Sequence, residues 1–294
     1  MVDFNHHFHF QSFITYNLSL IILMSVHSEI KKITTETLRK MKFDKEKITM
    51  LTAYDFTTAK MVDAGGVDSI LIGDSAANVM AGHETTLPIT LDQMIYHTQC
   101  VVRGVERALV VADLPFGTYQ SNPEKALDSA VRMMKEGGAH AIKIEGGKEI
   151  EESIRKIVNA GIPVCGHLGL TPQSIYQFGT YKVRAKEDAE AEKLISDCKL
   201  LEELGCFAVV LEKIPAALAK EASESISIPT IGIGAGPDCD GQVLVYHDMV
   251  GMNQGFSPKF LRRYLDLYSE ITGAVSQYVK DVKSSDFPND KESY

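Results

Sequence analysis

Between residues 108 and 170 the chain reads ALVVADLPF (108–116), PEKALDSAVRMMK (123–135), AIKIEGG (141–147), EIEESIRKIVNA (149–160) and PVCGHLGL (163–170). Three apolar, β-branched runs alternate with two amphipathic stretches, and Gly137-Gly138 and Gly161 mark the exits from the helices. The apolar runs are continuous rather than alternating, which is the pattern of parallel strands covered on both faces. Working outward, the same unit recurs. Further strands read at Ile48 to Asp55, Ser69 to Ser75, Phe207 to Pro215, Pro229 to Gly236 and Asp248 to Met252, and further helices at Leu91 to Arg103 and Glu187 to Leu204. Eight βα units in about 250 residues is the arithmetic of a (β/α)8 TIM barrel. No G-x-G-x-x-G fingerprint follows the first strand, which weighs against an open doubly wound sheet. A short helix, Thr34 to Met41, precedes the first strand, and residues 253–281 read as helical.

Length and charge narrow the function. The 294 residues carry 30 Lys plus Arg against 39 Asp plus Glu, a net charge of −9 without a basic cluster, which argues against binding a nucleic-acid backbone. Five cysteines (Cys100, Cys165, Cys198, Cys206, Cys239) are odd in number and never spaced C-x-x-C, so neither a disulfide framework nor a zinc site is expected, and a reducing, cytoplasmic compartment fits. Met1 to Ile30 holds no Lys or Arg, so it lacks the basic leader of a secretory signal. Its apolar run, Leu18 to Met24, is far below the roughly twenty residues that span a bilayer, so no membrane helix is expected. His6, His7 and His9 read as part of a solvated tail, and Met24 opens a more ordinary polar start. The expected organisation is an extension outside the fold over residues 1–28, a catalytic barrel over 29–283 and a flexible tail over 284–294.

In a barrel, chemistry sits at the C-terminal ends of the strands. Here those ends carry Asp74-Ser75, Asp113, Lys143 with Glu145, His167 and Glu212. Charged side chains inside apolar runs are costly unless paired or bound to a cation. Any one of these acids, taken singly, reads as a helix N-cap or a structural ion pair; five adjacent strands ending this way do not. Three carboxylates without accompanying cysteines, Asp74, Asp113 and Glu145, suit a hard cation of the Mg2+ type. Lys143 and Glu145 are two residues apart, and period-two geometry points both inward. Glu212, left without a metal role, suits a general base.

The motifs ITMLTAYD (48–55), LIGDS (71–75), TTLPIT (85–90), ADLPF (112–116), KIEGG (143–147), PVCGHLGLTPQS (163–174), VLE (210–212), IGIGAG (231–236) and DGQVLVYHD (240–248) resemble the ketopantoate hydroxymethyltransferase family, in the family's order, from about Ile33 to Val282. The resemblance implies a barrel of the phosphoenolpyruvate/pyruvate type, bound Mg2+, and transfer of a hydroxymethyl group from 5,10-methylenetetrahydrofolate to 3-methyl-2-oxobutanoate, giving 2-dehydropantoate (ketopantoate) for pantothenate synthesis. The family's metal ligands fall on Asp74, Asp113 and Glu145, its oxo acid contacts on Asp74, Ser75, Asp113 and Lys143, and its proton acceptor on Glu212. His167 matches a pocket residue, read as a neutral hydrogen-bonding partner or as a structural histidine. A homo-oligomer, a decamer, is also implied. Departures are Lys213, where many members have a small or apolar residue, and Thr180 and Ala185, where glycine is common. The glycines of IGIGAG read as allowing close packing near the barrel mouth. The rival readings are a Mg2+-dependent phosphoenolpyruvate/pyruvate-type lyase or mutase, and a non-catalytic 2-oxo acid sensor.

Overall fold

In the computed structural model, which describes residues 31–294, the fold begins at a capping box: the Thr34 side chain accepts from the Thr37 backbone while Thr37 reaches back to Thr34. It starts α1 (Thr35–Phe43), which buries Leu38 and Met41. After it come β1 (Ile48–Thr52), α2 (Phe56–Ala64), β2 (Ser69–Ile72), the single turn α3 (Ala76–Val79), α4 (Leu91–Gly104) and β3 (Leu109–Asp113). The chain continues through α5 (Pro123–Arg132), β4 (Ala141–Glu145), α6 (Glu151–Asn159), β5 (Val164–Gly169), α7 (Ile175–Phe178), α8 (Asp188–Glu203) and β6 (Ala208–Glu212). It ends with α9 (Ala216–Ser225), β7 (Thr230–Ile233), β8 (Gly241–Leu244), α10 (Tyr246–Met249) and α11 (Leu267–Lys283). Neighbouring strands pair in parallel, and β8 closes on β1 through Met50 opposite Val243, so the sheet is a complete barrel. The expected extension, residues 1–28, lies outside the described residues. No helix among the described residues is long and apolar enough to cross a membrane, and the five cysteines are free.

Strand parity decides what enters the lumen. Leu109 and Val111 of β3, Ala141 of β4, Cys165 of β5, and Ala208 and Val210 of β6 join Leu38 and Met41 of α1 in one buried cluster, so α1 plugs the lower end of the barrel. The alternate residues, among them Val110, Ala112, Ile142, Ile144, Val209 and Leu211, pack outward under the helices. Continuing the inward parity upward brings Asp113, Lys143, Glu145, His167 and Glu212 into the lumen at its upper end.

Two sequence expectations are corrected. The eighth strand is Gly241–Leu244, within DGQVLVYHD, and not Asp248 to Met252; Asp248 sits in the single turn α10. Pairing with β1 demands this position, because a Cβ at residue 241 would lie 2.6 Å from the Ile48 carbonyl oxygen, and only glycine allows that approach. Residues 253–266 are also not helical, and the helix begins at Leu267. Arg263 Nη2 donates to the carbonyls of Asn253, Gln254 and Phe256, wrapping the segment around a guanidinium, and Pro258 interrupts any helical ladder. The glycines of IGIGAG do pack closely: a Cβ on Gly236 would meet that of Ala216 at 2.5 Å.

Candidate active site

A cavity of about 460 Å³ opens at the C-terminal ends of the strands, with the acidic strand ends as its floor and Tyr181, Phe256 and Phe260 on its apolar side. Every residue anticipated from the strand ends lines it: Asp74, Ser75, Asp113, Lys143, Glu145, His167 and Glu212. All but Ser75 and Glu212 are buried.

The three carboxylates nominated for a cation each have one oxygen pinned by a donor. Asp113 Oδ2 accepts from the Asp74 backbone N–H at 3.0 Å. Asp74 Oδ2 accepts from Gln173 Nε2 at 2.9 Å, and Glu145 Oε2 from the Gln173 backbone N–H at 2.9 Å. Asp113 Oδ1 faces Lys143 Nζ at 3.0 Å in an ion pair and otherwise has no hydrogen-bond partner. Burial, reinforced by the charges of Asp113 and Glu145, pushes the Asp74 carboxyl well above the usual carboxylate range. Burial alone would discharge Lys143, but Asp113, Glu145 and Asp74 outweigh it and hold the ammonium charged.

These donors suit a hard divalent cation: all are carboxylate oxygens, buried, mutually repelling, and one of them is short of a donor. Among the described residues, no three His, Cys, Asp or Glu side chains converge into a finished ligand cage. The carboxylates are instead held apart by Gln173, by backbone donors and by Lys143.

His167 stands between the two halves of the site. Its Nδ1 lies 3.4 Å from Glu145 Oε1 and 3.3 Å from Lys143 Nζ, and its Nε2 lies 3.4 Å from Glu212 Oε2. Burial and Lys143 lower its pKa, Glu145 and Glu212 raise it further than that, and the balance is about 9. The two flanking carboxylates thus favour the protonated ring, and Lys143 opposes it. Glu212 is the more open of the carboxylates, with a side chain 17% exposed. Its backbone is fixed by the Leu170 N–H, 2.8 Å from the Glu212 carbonyl. That approach requires Gly169, whose φ is +91° and whose Cβ would stand 2.4 Å from the same oxygen.

Three residues escaped the reading of strand ends. Tyr54, buried just beyond β1, holds Ser75 Oγ at 2.8 Å. Tyr119 and Gln173 come from the loops after β3 and β5 and tie the carboxylates from behind. Tyr54 continues the inward parity of Ile48, Met50 and Thr52, a signal available in the sequence; the two loop residues give none. The departures noted beside the site also find partners. Lys213, with φ of 46°, donates from Nζ to the Tyr181 carbonyl at 2.6 Å and accepts the Arg184 N–H at 2.8 Å, so it ties down the loop carrying Thr180 and Ala185.

A family model described as ketopantoate hydroxymethyltransferase matches residues 32–290. The chain is 70% identical over 272 residues to the 3-methyl-2-oxobutanoate hydroxymethyltransferase of Flavobacterium johnsoniae, covering 92% of this chain and 100% of that one. The enzyme of the same name from Salinibacter ruber is 61% identical over 263 residues, covering 90% and 99%. Among solved structures, a phosphonopyruvate hydrolase complexed with oxalate and Mg++ superposes with a TM-score of 0.57 at 13% identity, covering 88% of this chain and 92% of that one. A 2,3-dimethylmalate lyase of the PEP mutase/isocitrate lyase superfamily gives 0.55 at 16%, covering 88% and 91%. At such identities the solved structures show the barrel alone.

Proposed function

Because the chain belongs to the ketopantoate hydroxymethyltransferase family and is an enzyme that makes ketopantoate from 3-methyl-2-oxobutanoate, we propose that the strand-end cluster divides this reaction between a cation half and a base half. In the first, Asp74, Asp113 and Glu145 hold Mg2+, and Asp74, Ser75, Asp113 and Lys143 contact the 2-oxo acid. In the second, Glu212 takes the proton from C3. The observation that carries the reading is the buried arrangement itself: three pinned carboxylates and a charged lysine on one side, one half-open carboxylate on the other, bridged by His167.

The residues act as follows. Lys143, kept charged by its carboxylate neighbours, pairs with the substrate carboxylate and fixes which end of the oxo acid faces the floor. Ser75, oriented by Tyr54, supplies a further polar contact. Glu212 removes the C3 proton, and its partial exposure gives that proton a route to solvent. When bound, the divalent cation supplies a positive charge beside the keto oxygen, lowering the cost of the enolate. Water adds to the methylene carbon of 5,10-methylenetetrahydrofolate as its two C–N bonds break, leaving tetrahydrofolate and formaldehyde; the deprotonated C3 then attacks the formaldehyde carbon, and the alkoxide formed takes up a proton to become the hydroxymethyl group. The aromatic side of the cavity, Tyr181, Phe256 and Phe260, suits a flat co-substrate. The test is C3 proton exchange into deuterated water: Glu212→Gln abolishes exchange while oxo acid binding survives. Retained exchange in that variant sinks the base assignment, and activity that survives chelator dialysis sinks the cation.

Cytoplasmic residence is supported by five free cysteines, and self-association by α11. Every residue of α11 is at least partly exposed, yet Tyr268, Ile271, Val275, Tyr278, Val279 and Val282 form a helical stripe, each 41% exposed or more. A second copy of the chain covering this stripe, in a decamer, accounts for it. Solution mass measurement on the wild type and on Ile271→Asp/Val275→Asp checks this: the wild type runs as the assembly and the variant as a smaller species, whereas a monomeric wild type ends the idea.

A further inference from the structure

From the loop after β5, Gln173 reaches the ends of three other strands, β2, β3 and β4. Its Nε2 donates to Asp74 Oδ2 at 2.9 Å and to the Leu114 carbonyl at 3.0 Å, and its backbone N–H donates to Glu145 Oε2 at 2.9 Å. Its Oε1 accepts from Tyr119 Oη at 2.8 Å and from Gln120 Nε2 at 2.9 Å. The side chain is buried, 5% exposed, and every donor and acceptor of the amide group is used.

The direction of these bonds is fixed by the partners. A carbonyl oxygen only accepts, so the end facing Leu114 is the NH2. The Glu145 backbone N–H, 2.9 Å from Tyr119 Oη, only donates, and of the two acceptors for the Tyr119 hydrogen Gln173 Oε1 at 2.8 Å is nearer than the Glu145 carbonyl at 3.3 Å, so the hydroxyl donates chiefly to Gln173. The result is a closed circuit: Glu145 N–H to Tyr119, Tyr119 O–H to Gln173, Gln173 N–H back to Glu145, with the amide NH2 extending it to Asp74. Gln173 thus occupies one oxygen on each of two carboxylates and prevents either from rotating to offer both oxygens inward or to turn away from its neighbour.

We propose that Gln173, with its orientation set by Tyr119, is the positioning residue of the cation site: it aims Asp74 and Glu145 at a common divalent ion and so sets the affinity for that ion. This rests on the cation reading given under Proposed function. Partners that orient ligand carboxylates typically govern affinity by about 10–100-fold. Gln173 itself touches neither ion nor substrate in this assignment.

The experiment is titration of the full-length protein with Mn2+ followed by electron paramagnetic resonance, alongside the Mg2+ dependence of activity and the melting temperature. Gln173→Met keeps the side-chain volume and the backbone N–H but removes the amide. It weakens Mn2+ binding by roughly 10–100-fold and raises the Mg2+ concentration for half-maximal activity by a similar factor, with kcat recovering at saturating Mg2+. Tyr119→Phe weakens Mn2+ binding less, and in the Gln173→Met background adds less than it does alone, because part of its effect passes through the same amide and the rest through its own bond to the Glu145 N–H. A Gln173→Met protein that binds Mn2+ within about two-fold of the wild type overturns the proposal, whether or not its melting temperature has moved. If that variant does not fold, unchanged Mn2+ affinity in Tyr119→Phe overturns it. A wild type with no saturable Mn2+ or Mg2+ binding, active in chelator, fails at the cation reading instead and takes this proposal with it.

Discussion

The two ends of the barrel both bury charge, and they treat it in opposite ways. At the lower end Asp68 accepts from the Thr49 N–H and hydroxyl and pairs with Arg107 at 3.2 Å. Asp240 accepts from the Thr230 N–H and hydroxyl and pairs with Lys42 at 2.9 Å. Each acid there has its own cation and its own donors. At the mouth three carboxylates share one lysine. Among the described residues, the buried side-chain atoms lacking a hydrogen bond are Thr86 Oγ1, Asp113 Oδ1, His167 Nε2, Arg184 Nε and His247 Nδ1, and all follow or end strands on the mouth side. Satisfied charge holds the barrel together, and unsatisfied charge is left where a ligand can answer it.

The sharpest way to break this contrast is to remove the base. Glu212→Gln lowers kcat by about 10²–10⁴ with melting unchanged, and a loss under about ten-fold shows that the mouth charge is structural after all. At the lower end Asp240→Ala strips three hydrogen-bonding or ionic partners at once. It costs about 2–3 kcal/mol, lowering Tm by roughly 5–10 °C, and leaves kcat/KM close to the wild type; lost activity without lost stability refutes the division. Asp74→Asn replaces a carboxyl whose ionisation burial and its neighbours oppose, so in chelator-treated protein it is expected to raise Tm by roughly 2–4 °C, about 1 kcal/mol, while the variant supplied with Mg2+ stays inactive. A fall in Tm argues that the carboxylate is held for stability.

The smallest effect concerns His247, beside the ring of Tyr54 at 5.5 Å between centroids. Burial lowers its pKa below the usual 6.5, with Asp55 opposing. The unfolded chain therefore takes up this proton first. The resulting stability is full above pH 6.5 and is lost as pH falls through the lower folded value. Calorimetry of wild type and His247→Gln between pH 7.5 and 5 is expected to show the variant gaining on the wild type as pH falls; a difference independent of pH rejects the role.

How far the sequence could be read follows the same physics. Asp113, Lys143 and Glu145 announce themselves because a charge inside an apolar strand is costly, and their period-two spacing with Val111 and Ala141 shows which way they face. Gln173 and Tyr119 are neutral and lie in loops, so neither cost nor periodicity marks them, and their meaning exists only once four strand ends are brought together. The strand β8 was hidden for a similar reason. Four residues with exposed Gln242 make a weak pattern, and what fixes them is the approach of Gly241 to Ile48, nearly two hundred residues earlier. The unwound stretch before α11 depends on Arg263 gathering carbonyls seven to ten residues back, which no helical period reveals.

The plug helix α1 has a consequence for synthesis. Lys42 donates to the carbonyls of Ser223 and Ile228, 181 and 186 residues further along the chain. At about 5–20 residues per second, a ribosome needs roughly 10–40 s to travel from one to the other. Through that interval Leu38 and Met41 have no lumen to enter, because the staves that will surround them are still being made. The first helix among the described residues is among the last to be housed, and the nascent chain stops showing its apolar face only when its final strand arrives.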